Sequence, residues 1–186
     1  MLFDKITIIG IGLIGSSLAR VIMKKGLAGK LCACDKNKEY LAEARELGIV
    51  DEISEDLGKA VENADLVVYA TPVGAYGEIT RQIVPHLKKG VILTDVGSIK
   101  KYSIREIEEN LPENADVVVV PGHPVAGTEK SGPANGFDTL FEGRWYIVTP
   151  SSRSTEEAVA KVSELWAAAR MKVDKMTPEH HDKVMA

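Results

Sequence analysis

Short apolar runs alternate with amphipathic stretches along the whole chain. Residues 5–9 (KITII) are apolar enough for a buried strand, and the periodicity of Leu13–Lys25 predicts a helix ended by Gly26. A second strand is expected at 31–35, then a helix at 38–47 with its charges on one face, stopped by Gly48. A weaker strand at 49–53 and a helix at 56–63 precede the strongly apolar run 66–70. The rhythm repeats with a helix at 76–87, a strand at 91–94, a helix at 101–110 and a strand at 117–120. A loop rich in Gly, Pro and Thr is expected over 121–136, followed by a strand at 145–149. A helix at 155–169 and a short strand at 171–173 come next. Thr177 and Pro178 have the chemistry of an N-cap and a first helical position, opening a last helix with no stop signal before Ala186.

Continuous Val/Ile-rich runs separated by helices indicate an α/β fold: a doubly wound, mostly parallel sheet with helices on both faces, of the Rossmann type. With 186 residues, the chain can bury roughly 70% of its unfolded surface without a disulfide or metal staple. There are 27 acidic residues against 23 basic ones, and neither sign forms a long block, so no nucleic-acid partner is expected. Cys32 and Cys34 share one face of a strand, where they cannot form a well-shaped disulfide. They read as reduced core residues of a cytoplasmic protein, and no further ligands complete a metal site near them. The apolar stretch 6–23 is interrupted by Gly10, Gly12, Gly15 and Arg20, with Lys24 and Lys25 after it. That is the wrong charge order for a leader, so neither a targeting segment nor a membrane span is expected.

Gly10-Ile11-Gly12-Leu13-Ile14-Gly15 follows the first strand and opens the first helix. In that context Gly10 serves the tight turn, Gly12 the close approach of a pyrophosphate, and Gly15 the packing of helix on strand, with Leu13 and Ile14 at the helix start. The phosphates would rest on backbone N–H groups at the helix N-terminus. Asp35 ends the second strand 20 residues after Gly15. A carboxylate there accepts from a ribose 2′-hydroxyl and repels a 2′-phosphate, which favours NAD over NADP. Thr71-Pro72 and Gly97-Ser98 lie at the carboxyl ends of later strands, the edge where open α/β sheets bind ligands. From spacing alone, a rigid turn and a helix N-cap explain these two pairs as well as ligand contact does.

Four histidines are available as acid–base groups. His86 follows Pro85 near a predicted helix C-terminus, where an imidazole suits the helix dipole. His123 lies in Pro121-Gly122-His123-Pro124, directly after a strand, and packing explains it poorly. It is well placed as a general base or acceptor for a substrate hydroxyl.

Five blocks together carry a resemblance. They are GIGLIGSSLA at 10–19, Thr71-Pro72-Val73, TDVGSIK at 94–100, GHPVAGTE at 122–129, and His181-Asp182. The chain resembles the dinucleotide-binding domain of the prephenate dehydrogenase family, which has arogenate-using relatives. That resemblance implies oxidative decarboxylation: hydride leaves the ring carbon bearing the 4-hydroxyl of prephenate, and loss of the ring carboxylate aromatises the product to 4-hydroxyphenylpyruvate, a step of tyrosine biosynthesis. It gives His123 the hydroxyl proton, Ser98 a contact to the same hydroxyl and a part in orienting His123, and Thr128 and Glu129 the substrate entrance. It places His181 near the active site as a substrate-binding residue, whereas a solvated helix face explains the same residue equally well. It further implies a homodimer made by an all-helical domain that continues from a helix at 176–186, beyond a cofactor domain at 1–175. Alternatives of other kinds are a dehydrogenase of the 6-phosphogluconate or 3-hydroxyacid type, in which His123 would be idle, and a non-catalytic NAD-binding module.

Overall fold

The computed structural model describes residues 1–186. Six strands, β1 (Phe3–Ile9), β2 (Ala28–Cys34), β3 (Glu52–Ser54), β4 (Leu66–Tyr69), β5 (Val91–Asp95) and β6 (Val117–Val120), form one sheet in the order β3-β2-β1-β4-β5-β6. Every neighbouring pair is parallel. The chain winds outward from β1 to β3, then returns to start again at β4, so the strand order reverses between β1 and β4. Loops at the carboxyl ends of those two strands therefore diverge and leave a crevice.

Seven helices pack around this frame: α1 (Leu13–Lys25), α2 (Lys38–Glu46), α3 (Leu57–Val61), α4 (Tyr76–Ile83), α5 (Lys100–Glu108), α6 (Glu156–Ala168) and α7 (Pro178–Val184). Strand side chains alternate between two cores. Ile6, Ile8, Leu31, Ala33, Leu66 and Val68 join α1, α2 and α6 on one face. Ile9, Cys32, Cys34, Val67, Tyr69 and Leu93 join α3, α4 and α5 on the other. Both faces being buried explains why these strands read as continuous apolar runs. Both cysteines are free and buried, and burial pushes the Cys32 thiol up to about 11 and the Cys34 thiol to about 12. No helix is long and apolar enough to cross a membrane.

Two features depart from the sequence expectation. The stretch 121–136 is not all loop, because residues 122–124 form β7 (Gly122–Pro124). It pairs antiparallel with β8 (Trp145–Val148), which pairs parallel with β9 (Lys172–Lys175) in a separate three-stranded sheet. Gly-His-Pro has no strand propensity of its own, and an edge position tolerates the proline, so only the pairing partner makes the strand. The helix expected over 76–87 ends at Ile83 and continues as a 3-10 turn, Val84–His86. Pro85 has no N–H to extend the α-helical ladder.

Candidate active site

At the β1–α1 turn, Gly10 has φ +98°, and a Cβ there would stand 2.5 Å from the Ala70 carbonyl oxygen. A Cβ on Gly15 would lie 2.0 Å from the Gly10 carbonyl oxygen, so α1 rests directly on the turn. Gly12 is different: a Cβ there would meet nothing within 4 Å. The α1 N-terminus has no side-chain cap and no acid in its first turn. Its free amides therefore face open space beside a glycine, which is what an anionic phosphate group requires. Asp35 is fixed at the same place, its Oδ2 accepting from Ile11 N at 2.9 Å and its Oδ1 from Asn37 N at 2.8 Å.

Gly10, Gly12, Asp35, Thr71 and Pro72 all line one cleft of about 1110 Å³ in the crevice. Leu13 and Ile14 pack against the core instead. Gly15 serves helix packing, and Gly97 is buried with its N–H donating to Asp95 Oδ2 at 3.0 Å. The cleft is also lined by Tyr40 and Gln82, which sequence reasoning passed over, and by His86, which it had assigned to a helix terminus. The 3-10 turn brings the His86 ring against Gly58, where a Cβ would come within 2.7 Å of it. A glycine inside a short helix was the available signal that something large approaches there.

The glycines make a paired prediction. Gly12→Ala should leave thermal stability within about 0.5 kcal/mol. It should weaken dinucleotide binding by roughly 5- to 150-fold, since a methyl group would crowd the ligand at about 1–3 kcal/mol. Gly15→Ala should instead lower the melting temperature, because α1 must lift off the turn. Thermal melts and calorimetric titration of both variants check this. Equal behaviour of the two would mean that the open space at Gly12 is not where the ligand lies.

The second half of the site surrounds His123. Asp95, at the end of β5, and Lys100, in the first turn of α5, are both fully buried and paired at 2.6 Å. Asp95 Oδ1 accepts from Gly122 N at 3.1 Å, and Lys100 Nζ donates to Gly122 O at 2.6 Å. One buried ion pair thus holds both backbone groups of the residue before His123. Burial pushes Lys100 below the usual lysine range, and the attraction of Asp95 works against that. His123 is 9% exposed and His181 0%. His123 Nδ1 lies 2.9 Å from His181 Nε2, while His123 Nε2 makes no hydrogen bond within the chain. Burial, with Lys100 and His181 adding to it, pushes His123 down to about 4, so the ring is neutral at neutral pH.

His181 reaches this position because Asp182 docks α7 onto α5. Asp182 Oδ1 accepts from Lys100 N at 2.7 Å and Oδ2 from Lys101 N at 2.9 Å. The first amides of α5 are therefore capped from a helix more than 80 residues away, and not by Ser98, whose place in the turn precedes the N-cap residue Ile99. Two expectations are corrected here. His181 is neither on a solvated face nor open to a substrate, being sealed between His123 and Asp182. His123 takes its orientation from His181, with no bond from Ser98. Ser98, Thr128 and Glu129 are all exposed, and Thr128 Oγ1 accepts only from Lys130 N at 3.1 Å.

A parallel sheet that reverses order beside a glycine turn, an uncapped helix N-terminus and an acid ending β2 defines a dinucleotide-binding domain. Residues 18–175 match the family described as prephenate dehydrogenase, nucleotide-binding domain, and the chain belongs to that family. Cyclohexadienyl dehydrogenase of Zymomonas mobilis is 39% identical over 99% of this chain and 62% of its own length. Prephenate dehydrogenase of Bacillus subtilis is 32% identical over 97% of this chain and 48% of its own. Among solved structures, prephenate dehydrogenase of Aquifex aeolicus, in complex with hydroxyphenyl propionate and NAD+, superposes with TM-score 0.88 at 32% identity. It covers 97% of this chain and 62% of that one. The chain thus spans about half to three-fifths of the length of these relatives.

Proposed function

We propose that this chain is the cofactor-binding and proton-accepting part of an NAD-dependent dehydrogenase that converts prephenate to 4-hydroxyphenylpyruvate. The observation that carries this reading is the neutral, buried His123, with one ring nitrogen held by His181 and the other unbonded at the carboxyl edge of the sheet. Gly10, Gly12, Asp35, Thr71 and Pro72 would hold NAD, which when bound supplies the hydride acceptor. The Asp35 carboxylate, already aimed by two backbone amides, would accept from the ribose 2′-hydroxyl and disfavour the 2′-phosphate of NADP.

His123 Nε2 takes the proton of the substrate's 4-hydroxyl as the carbonyl develops. The ring carboxylate departs as carbon dioxide, its electrons restore aromaticity, and His123 returns the proton to the phenol oxygen. Ser98 meets the same hydroxyl, and Thr128 and Glu129 border the entrance. Titration of His123 near 4 keeps the ring ready to accept at neutral pH. In the whole protein, α7 would lead from this cofactor domain into a further helical domain that completes the substrate pocket and forms a homodimer in the cytoplasm.

The test is NADH absorbance on mixing the chain with NAD and prephenate, with arogenate in a parallel cell. A rise with prephenate is the expected result. A rise with arogenate alone would change the substrate, and a flat trace in both cells with NAD bound would leave a binding module in place of an enzyme.

A further inference from the structure

Only one nitrogen of His123 can act as the base, and the hydrogen-bond chain behind the ring decides which. His181 Nδ1 lies 2.8 Å from Asp182 Oδ1. Burial works against the Asp182 charge, but the amides of Lys101 and Lys100 and the His181 ring together hold it below the usual carboxylate range. An ionised carboxylate can only accept, so the hydrogen in that contact sits on His181 Nδ1. With a single N–H on the His181 ring, Nε2 is left bare and able only to accept. The hydrogen of the 2.9 Å contact between the two rings therefore sits on His123 Nδ1.

We propose that His181 and Asp182 are positioning residues that fix His123 as its Nδ1–H tautomer, so that Nε2 presents a lone pair to the substrate hydroxyl. The mention of a substrate rests on the proposed function; the tautomer is a property of the chain itself. The groups facing His123 agree with the assignment. From β5 and α5 it meets Asp95 and Lys100, which are already committed to each other and to Gly122. From α7 it meets His181 and, through it, Asp182, leaving no other partner for Nδ1. Proton uptake at Nε2 gives an imidazolium that still donates from Nδ1 to His181, so the chain of bonds is kept as the base is charged. A His123 without His181 would be free to rotate and to place its hydrogen on Nε2, where it would be a donor and no base.

Long-range nitrogen–proton NMR of the histidine-labelled chain at neutral pH tests this without any turnover. His123→Asn and His181→Phe identify the two rings among the four histidines. The expected spectrum shows both His123 and His181 protonated on Nδ1 and bare on Nε2. Asp182→Asn, whose amide can donate to His181 Nδ1, should move hydrogen onto Nε2 of both rings. His181→Phe should move it onto Nε2 of His123 alone. A wild-type spectrum with His123 protonated on Nε2 overturns the proposal by itself, whether or not either variant folds. So does a His123 tautomer that stays unchanged in a folded His181→Phe protein. Failure of the chain to oxidise prephenate would leave these readings untouched.

Discussion

Replacing Lys100 with methionine is expected to destabilise the fold by about 3–5 kcal/mol, the usual cost of leaving one partner of a buried ion pair without the other. Methionine fills a similar volume, so the loss isolates the charge from the packing. Asp95 would keep only the N–H groups of Gly97 and Gly122, and the Gly122 carbonyl would lose its donor. For a chain of this size the change corresponds to a drop of roughly 6–20 °C in melting temperature. Thermal melts of Lys100→Met, Asp95→Asn and the double variant decide the cause. If the stranded carboxylate is responsible, the double variant should be more stable than the sum of the singles predicts, by more than about 0.5 kcal/mol. A single-variant loss below about 1 kcal/mol would mean that the pair contributes little to holding Gly122.

His123→Asn should lower turnover by about 10²–10⁴-fold, the range general-base catalysis supplies. Dinucleotide affinity should hold, because the ring lies outside the cleft formed by Gly10, Gly12 and Asp35. Asparagine can still donate to His181 Nε2, so the surrounding bonds survive while the base is gone. The pH profile gives a second check with a definite sign. A base pushed down to about 4 stays unprotonated on acidification until that pH, so the acid limb should fall near 4 and not near the ordinary histidine value. A limb near 6.5, or a variant with unchanged rate, would remove His123 from the base role. Stopped-flow NADH formation at high protein concentration measures both.

The main sheet was legible because its strands are buried on both faces: short runs such as 66–70 fit a strand covered on both sides. The β1–α1 turn was legible because Gly10, Gly12 and Gly15 sit between a strand and a helix, and the structure gives each its own steric reason. β7 was not legible, since Gly-His-Pro becomes a strand only through pairing with residues more than 20 positions later. His181 was only half legible, its place near His123 suggested by the resemblance but its burial and bonding not, for a related reason. Its helix, 178–184, is short and mostly polar, and nothing local says that Asp182 will cap α5 and draw His181 inward. The Asp95–Lys100 pair lay within a quoted motif, but its grip on Gly122 depends on a contact spanning more than 20 residues. Long-range capping and long-range ion pairing leave no period in the sequence.

The placement of His123 on a paired strand has an entropic consequence. A residue on a free loop must be immobilised when the substrate arrives, at about 1–2 kcal/mol for each backbone unit fixed. Gly122, His123 and Pro124 are already opposite Val148, Ile147 and Tyr146, and Gly122 is held again by Asp95 and Lys100. Their freedom is lost once, when the chain folds, and would not have to be lost again in each cycle of the proposed reaction. With His123 as the proposed base, binding energy from a substrate would be left to act on the substrate, with none diverted to ordering that strand.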